Sequence, residues 1–137
     1  MSTPPATPTP RERSFSGLPN EGAYGFCRAV KVGDRVVVSG TTATVPGGGV
    51  APEHAGDTYA QAKEALRRIG EVLDGFGLSF EHVVKTTVFF TDRDAVADVI
   101  KAHGEVFGGT KPASTAVGVS GLFSPVALVE IEAEAIA

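Results

Sequence analysis

Near the C-terminus the run Leu128-Val129-Glu130-Ile131-Glu132-Ala133-Glu134-Ala135 alternates strictly between apolar and acidic residues. A strand repeats every two residues, so Glu130, Glu132 and Glu134 share one face. The bland reading is a solvated strand face. Aligned like charges repel, however, so at least one of the three is expected to meet a cation or a hydroxyl instead of bulk water. A carboxylate in a partly apolar pocket is tuned to move protons near neutral pH. Arg28 is the other residue that stands out. It interrupts an otherwise apolar run, residues 24–32, on the same strand face as Phe26. It is either an edge residue reaching water along its stem or a planar cation aimed at a bound anion.

The remaining reactive residue types point to inert roles. Cys27 is the single cysteine, so neither an intrachain disulfide nor a cysteine zinc cage can form. Strand alternation turns it away from Arg28, which favours a buried, unreactive thiol over a nucleophile. His54, His82 and His103 are far apart and lack carboxylate neighbours at metal-ligand spacing. His103 falls on the apolar face of a helix, where a satisfied core histidine is favoured over a base. The chain has no phosphate-cradling glycine loop with Lys-Ser/Thr, no Gly-x-Ser-x-Gly and no His-Glu-x-x-His.

Five of the nine prolines fall within the first 19 residues, so residues 1–20 are expected to form a disordered Pro-rich tail and 21–137 a single domain. Residues 24–32 and 35–39 read as a hairpin broken at Gly33-Asp34, and a short third strand is expected after Pro46-Gly47-Gly48-Gly49, near Val50. Ala62, Ala65, Leu66, Ile69, Val72, Leu73 and Phe76 recur at three- and four-residue steps and predict a helix. Thr58 with Gln61 fits a capping box at its start, and Asp57 is an alternative cap. Residues 83–91 read as a buried strand. A second helix carries Val96, Val99, Ile100, His103 and Phe107 on its buried face, and strands over 115–120 and 127–136 close the chain. The order is β-β-(β)-α-β-α-β-β, in which two strand-helix-strand crossovers imply parallel neighbours and the terminal hairpins antiparallel ones; it predicts an α+β fold, a six-stranded mixed sheet with two helices on one face. The other face is left bare, and whichever of Val38, Val88 and Phe90 point that way need a partner subunit.

Composition bounds the function. With 137 residues, 42% hydrophobic and 20% charged, the chain is long enough for one packed core. Twelve Lys and Arg against 16 Asp and Glu give a net charge of -4, with no basic stripe, which argues against nucleic-acid binding. No apolar run reaches the roughly 20 residues of a membrane span. Without a basic-then-apolar leader, a reducing cytoplasm is the expected location.

Taken in order, Val38-Ser39-Gly40-Thr41, the capped helix with Gln61, Val84-Lys85-Thr86-Thr87-Val88-Phe89-Phe90, Pro112-Ala113-Ser114-Thr115 and Val129-Glu130-Ile131-Glu132-Ala133 resemble the RidA (YjgF) family. The likeness runs from about residue 22 to 137. It implies a chorismate-mutase-like fold and a homotrimer, with the sheets facing a central barrel and three small-molecule clefts between subunits. It also implies hydrolysis of reactive enamines and imines to release ammonia, with no metal or organic cofactor. In such a cleft Glu130 would position the attacking water, the backbone at Gly40 beside Thr41 would orient the electrophile, and Phe26 would supply the aromatic of the first strand. Asp94 stands where the family often has a polar amide, and Arg28 where it often has glutamine. The family's carboxylate-clamping arginine follows Pro-Ala, and here Ser114 holds that place, with Thr115 next. A hydroxyl cannot replace a guanidinium fork, and losing one partner of a desolvated charge pair costs roughly 2–5 kcal/mol.

The expectation is an enzyme acting at a C=N or enamine bond, by hydrolysis or by a related cyclisation or tautomerisation, on a substrate less anionic than a 2-imino acid. Alternatively, Arg28 supplies the missing cation from another wall. Glu130 and Ser114 are the expected catalytic residues, and Phe26, Arg28, Gly40, Thr41, Asp94 and Thr115 the binding residues. The competing reading is a non-catalytic metabolite-binding protein, favoured by Ser114 in place of the arginine. The net charge counts against a third reading, ribonuclease or translation inhibitor.

Overall fold

The computed structural model describes residues 2–137. The elements in chain order are β1 (Arg11–Ser14), α1 (Pro19–Tyr24), β2 (Ala29–Val32), β3 (Arg35–Thr41), α2 (Thr58–Gly75), β4 (Val83–Phe90), α3 (Val96–Phe107), β5 (Ala113–Gly118) and β6 (Val129–Ile136). The six strands form one sheet in the order β1-β2-β3-β6-β4-β5. Only the β4–β5 pair is parallel. The expected six-stranded mixed sheet is present, with α2 and α3 packed together on one face.

α2 forms because its apolar residues recur on one stripe: Ala62, Ala65, Leu66, Ile69 and Leu73 are buried against the sheet. Asp57 is its N-cap, accepting the Ala60 amide at 2.9 Å. Gln61 is no part of a capping box but lies fully buried with other partners. α3 packs beside it through Val99, Ala102 and Phe107, whereas Ile100, expected on the buried face, is exposed. β6 lies mid-sheet with Val129, Ile131, Ala133 and Ala135 all facing the helices, and the two alanines leave room for α2.

Four expectations change. The short strand at Val50 is a single bridge to Thr44. The sixth strand is instead β1, inside the stretch expected to be disordered. It pairs with β2 through main-chain bonds from Arg11↔Val32 to Ser14↔Ala29, which require no apolar side chains. Residues 24–28 precede β2, because α1 ends at Gly25 in the left-handed region (φ 76°) and Phe26, Cys27 and Arg28 form the link. The strands flanking α2, β3 and β4, are not neighbours, since β6 lies between them.

The bare face also differs from expectation. Val38, Val88 and Phe90 all lie under the helices. The opposite face carries Val37, Phe89 and Val117 among Lys85, Thr87, Glu132 and Glu134. Arg35 pairs with Glu134 there at 2.8 Å. β5 forms one edge of the sheet, and all six of its residues are exposed.

Candidate active site

The site begins with a defect in the sheet. Val38 faces Ala133 and Thr41 faces Ile131, so Ser39 and Gly40 together stand opposite Glu132 alone. An extra residue on one strand is a β-bulge, which bends the strand and re-aims nearby side chains. Two hydroxyls fix it. Ser39 Oγ donates to the Cys27 carbonyl at 2.7 Å, and Thr41 Oγ1 donates to the Ser39 carbonyl at 2.8 Å.

The bulge brings Gly40 beneath Glu130. A Cβ on Gly40 would lie 2.9 Å from Glu130 Cδ and 3.0 Å from Oε2, so only glycine lets the carboxylate occupy this position. The obstructing atoms are the far end of a flexible side chain. Gly40→Ala is therefore expected to leave the unfolding free energy within about 1 kcal/mol of wild type while displacing the Glu130 carboxylate. Thermal unfolding and the affinity of the cleft for a cationic ligand, measured on the same preparation, separate the two effects.

Glu130 is half-buried, and no protein group among the described residues hydrogen-bonds its carboxylate. Burial pushes its pKa up, Arg28 partly opposes that, and the neighbouring Glu132 charge adds to it.

Arg28 lies across the same cleft, and its guanidinium is already engaged. Nη1 donates to the Gly40 carbonyl at 3.1 Å and reaches Thr41 Oγ1 at 3.5 Å, while Nε is 3.3 Å from Glu21 Oε2. It also lies 5.5 Å from the centre of the Phe26 ring. Arg28 is thus aimed at an anion of its own chain, Glu21, and not at the bound anion that one of its two readings expects. Glu21 is buried and accepts from Ser16 N, Ser16 Oγ and Gly17 N. Burial alone would raise its pKa; those hydrogen bonds and Arg28 outweigh it and hold the carboxyl below its ordinary value.

These residues line an open cleft of about 830 Å³, where β3 runs out of the sheet. One wall is the segment around α1 and another is α2. On that wall Arg68 donates to the carbonyls of Thr42 and Thr44 at 2.9 and 2.6 Å, which fastens the loop after β3. Glu64 bonds Arg67 and Arg68, and the Arg67 hydrogen bonds, set against its burial, bring its pKa down to about 2.

Phe26, Arg28, Gly40, Thr41 and Glu130 therefore come together. Ser114, Thr115 and Asp94 do not line this cleft within one chain. Ser114 pairs with Thr86, which faces the helices, whereas Glu130 pairs with Phe89 on the opposite face. Thr86 Oγ1 donates to Ser114 Oγ at 2.8 Å and lies 2.8 Å from His103 Nε2. A single hydroxyl proton cannot serve both partners, so His103 donates to Thr86 in this arrangement. Burial lowers the His103 pKa, in keeping with a satisfied core histidine. Asp94 is exposed in the turn before α3, its amide donating to Asp92 Oδ1 at 2.9 Å. No group of three or more His, Cys, Asp or Glu side chains among the described residues is placed to hold a metal ion.

Two important residues escaped sequence reasoning. Glu21 carries no periodic signal; its only trace is the Ser16-Gly17 pair four and five residues upstream. Gln61 reads in the sequence only as a capping residue, yet its side chain ties the loop before α2, at His54, to the loop before β6, at Val126 and Leu128.

A family model described as Endoribonuclease L-PSP matches residues 19–137. An uncharacterised protein of Streptomyces coelicolor is 41% identical over 123 residues, 90% of each chain. The 2-iminobutanoate/2-iminopropanoate deaminase of Mus musculus is 35% identical over 112 residues, covering 81% of this chain and 80% of that protein. Among solved structures, Rv2704 of Mycobacterium tuberculosis, a member of the YjgF/YER057c/UK114 family, gives a TM-score of 0.83 at 37% identity, covering 93% of this chain and 100% of that one. With the match spanning both the bulge at Gly40 and the strand that carries Glu130, the chain belongs to the RidA (YjgF) family.

Proposed function

We propose that this chain hydrolyses the C=N bond of a small imine, or of the enamine in equilibrium with it, with Glu130 as general base. One observation carries the reading: Glu130 is the single charged side chain of the cleft without a protein partner. Arg28 is paired with Glu21, Arg67 with Glu64 and Glu71, and Arg68 with Glu64. Likeness to a protein named 2-iminobutanoate/2-iminopropanoate deaminase supports the reaction class.

The chemistry follows from that carboxylate. Ionised Glu130 takes a proton from a water as the water oxygen attacks the imine carbon, giving a carbinolamine. The proton passes to nitrogen, the C–N bond breaks, and ammonia and a carbonyl compound leave. Main-chain groups at Gly40 orient the electrophile together with the Thr41 hydroxyl oxygen, which gives its proton to the Ser39 carbonyl and can accept from the substrate nitrogen, and Phe26 supplies an apolar wall.

An anionic 2-imino acid fits this cleft poorly, because its arginines are committed and Ser114 stands in place of the clamp. We therefore assign a less anionic substrate. Within one chain Ser114 and Thr115 lie away from Glu130, so their part in the reaction requires a second copy. The exposed β5 edge supports a homotrimer with clefts between subunits. Sedimentation velocity at micromolar concentration is expected to give a trimer; a stable monomer would remove Ser114 and Thr115 from the mechanism.

Semicarbazide competition tests the activity. Imine generated in situ by an amine or amino-acid oxidase is trapped as the semicarbazone, and the protein is expected to suppress trapping in proportion to its concentration. Unchanged trapping across a panel of imines leaves the non-catalytic binding reading in its place.

A further inference from the structure

We infer that the cleft takes a cationic imine bearing an aromatic side chain and no carboxylate: an arylalkyl iminium. The inference rests on the reading of Glu130 given above and extends it to the substrate. Ten aromatic residues occur in the chain. Among the described residues four have exposed rings, Phe15, Tyr24, Phe26 and Phe123, at 61, 64, 37 and 87% exposure, and all four line this one cleft. Exposed large aromatics scattered singly need no explanation, but their confinement to the mouth of a cleft that holds a half-buried carboxylate does. Tyr24 and Phe123 meet edge to face, with ring centres 6.0 Å apart, and together form an apolar rim. The Phe123 loop is held in place by Ser124 Oγ, which donates to the Gly48 carbonyl. About 830 Å³ lies within the roughly 300–1,000 Å³ typical of sites for drug-sized ligands, ample for a benzyl group.

Charge selects the other half of the ligand. The cleft is lined by three arginines and three carboxylates, and each arginine is paired. The one unpaired charge is negative. It repels a carboxylate and attracts a protonated imine, whose nitrogen bears the positive charge while its carbon awaits the water. Such a species is the product of two-electron oxidation of a primary arylalkylamine, with the electrons passing to the oxidase's own acceptor. The reaction consuming it here is R–CH=NH₂⁺ + H₂O giving R–CHO and NH₄⁺.

Isothermal titration calorimetry with three stable probes tests the assignment. Phenylacetamidine is an aromatic planar cation, acetamidine the same cation without the ring, and phenylacetate the ring with an anion. Phenylacetamidine is expected to bind about tenfold or more tightly than either of the others. Tyr24→Ala and Phe123→Ala are expected to reduce its affinity several-fold, leaving acetamidine unaffected. Phenylacetate binding as tightly as phenylacetamidine, or acetamidine matching it, overturns the inference. So does a change in sedimentation of the two variants with aryl preference intact, which would make the rings an interface between copies. Probe binding needs no turnover, so the expected ranking without semicarbazide suppression would count against hydrolysis alone.

Discussion

Replacing Gln61 with alanine lowers the stability of the folded chain by about 2–4 kcal/mol. Gln61 is fully buried on α2. Its amide nitrogen donates to the carbonyls of His54 at 3.0 Å and Val126 at 3.4 Å, and its amide oxygen accepts the Leu128 N–H at 2.9 Å. Alanine leaves those main-chain groups without their partner in the interior and opens a cavity under the loop that leads into β6. Gln61→Met restores most of the volume and none of the bonds, so it recovers only the cavity part of the loss. Urea unfolding at matched protein concentration measures both, as a shift of midpoint at constant slope. Because Leu128 is two residues from Glu130, activity is expected to fall with stability.

Glu130→Gln separates activity from stability in the opposite sense. The amide keeps the shape of the side chain but cannot take the proton of water, so the hydrolysis rate falls by about 10²–10⁴-fold. Stability at neutral pH does not fall. The folded-state pKa of Glu130 is raised, chiefly by burial, so its favourable contribution is complete below the unfolded value and is lost as pH rises through the folded one. At pH 7 wild type bears the cost of an ionised, half-buried carboxylate that the amide avoids. The variant is therefore expected to melt at or above the wild-type temperature at pH 7, with the difference vanishing below the ordinary glutamate range. The raised pKa also moves the acid limb of wild-type activity to higher pH than an exposed carboxylate would give.

The periodic parts of the fold were legible in the sequence. The stripe from Ala62 to Leu73 and the alternation from Val129 to Ala135 each impose one buried face, and both elements lie where those periods require. What lacked a period was hidden. β1 is held by main-chain pairing under exposed polar side chains, so its residues carry no apolar signature. The position of β6 between β3 and β4 is a choice of neighbour that alternation does not encode. The same division holds at the site. Glu130 stood out as one of three aligned carboxylates, and Arg28 as a charge in an apolar run. The structure adds that Glu134 is paired with Arg35 and that Arg28 is held by Glu21. Long-range partners of this kind depend on how the chain folds back, as does the gathering of Phe15, Tyr24, Phe26 and Phe123 from two distant segments.

Ammonia release from an imine formed in situ, followed in parallel for wild type and Glu130→Gln under one set of conditions, tests most directly whether this cleft is a hydrolytic site. Release above the spontaneous rate, proportional to wild-type concentration and abolished in a folded Glu130→Gln protein, is the predicted result. Equal rates for the two proteins would contradict a catalytic role for Glu130, whatever ligand the cleft binds.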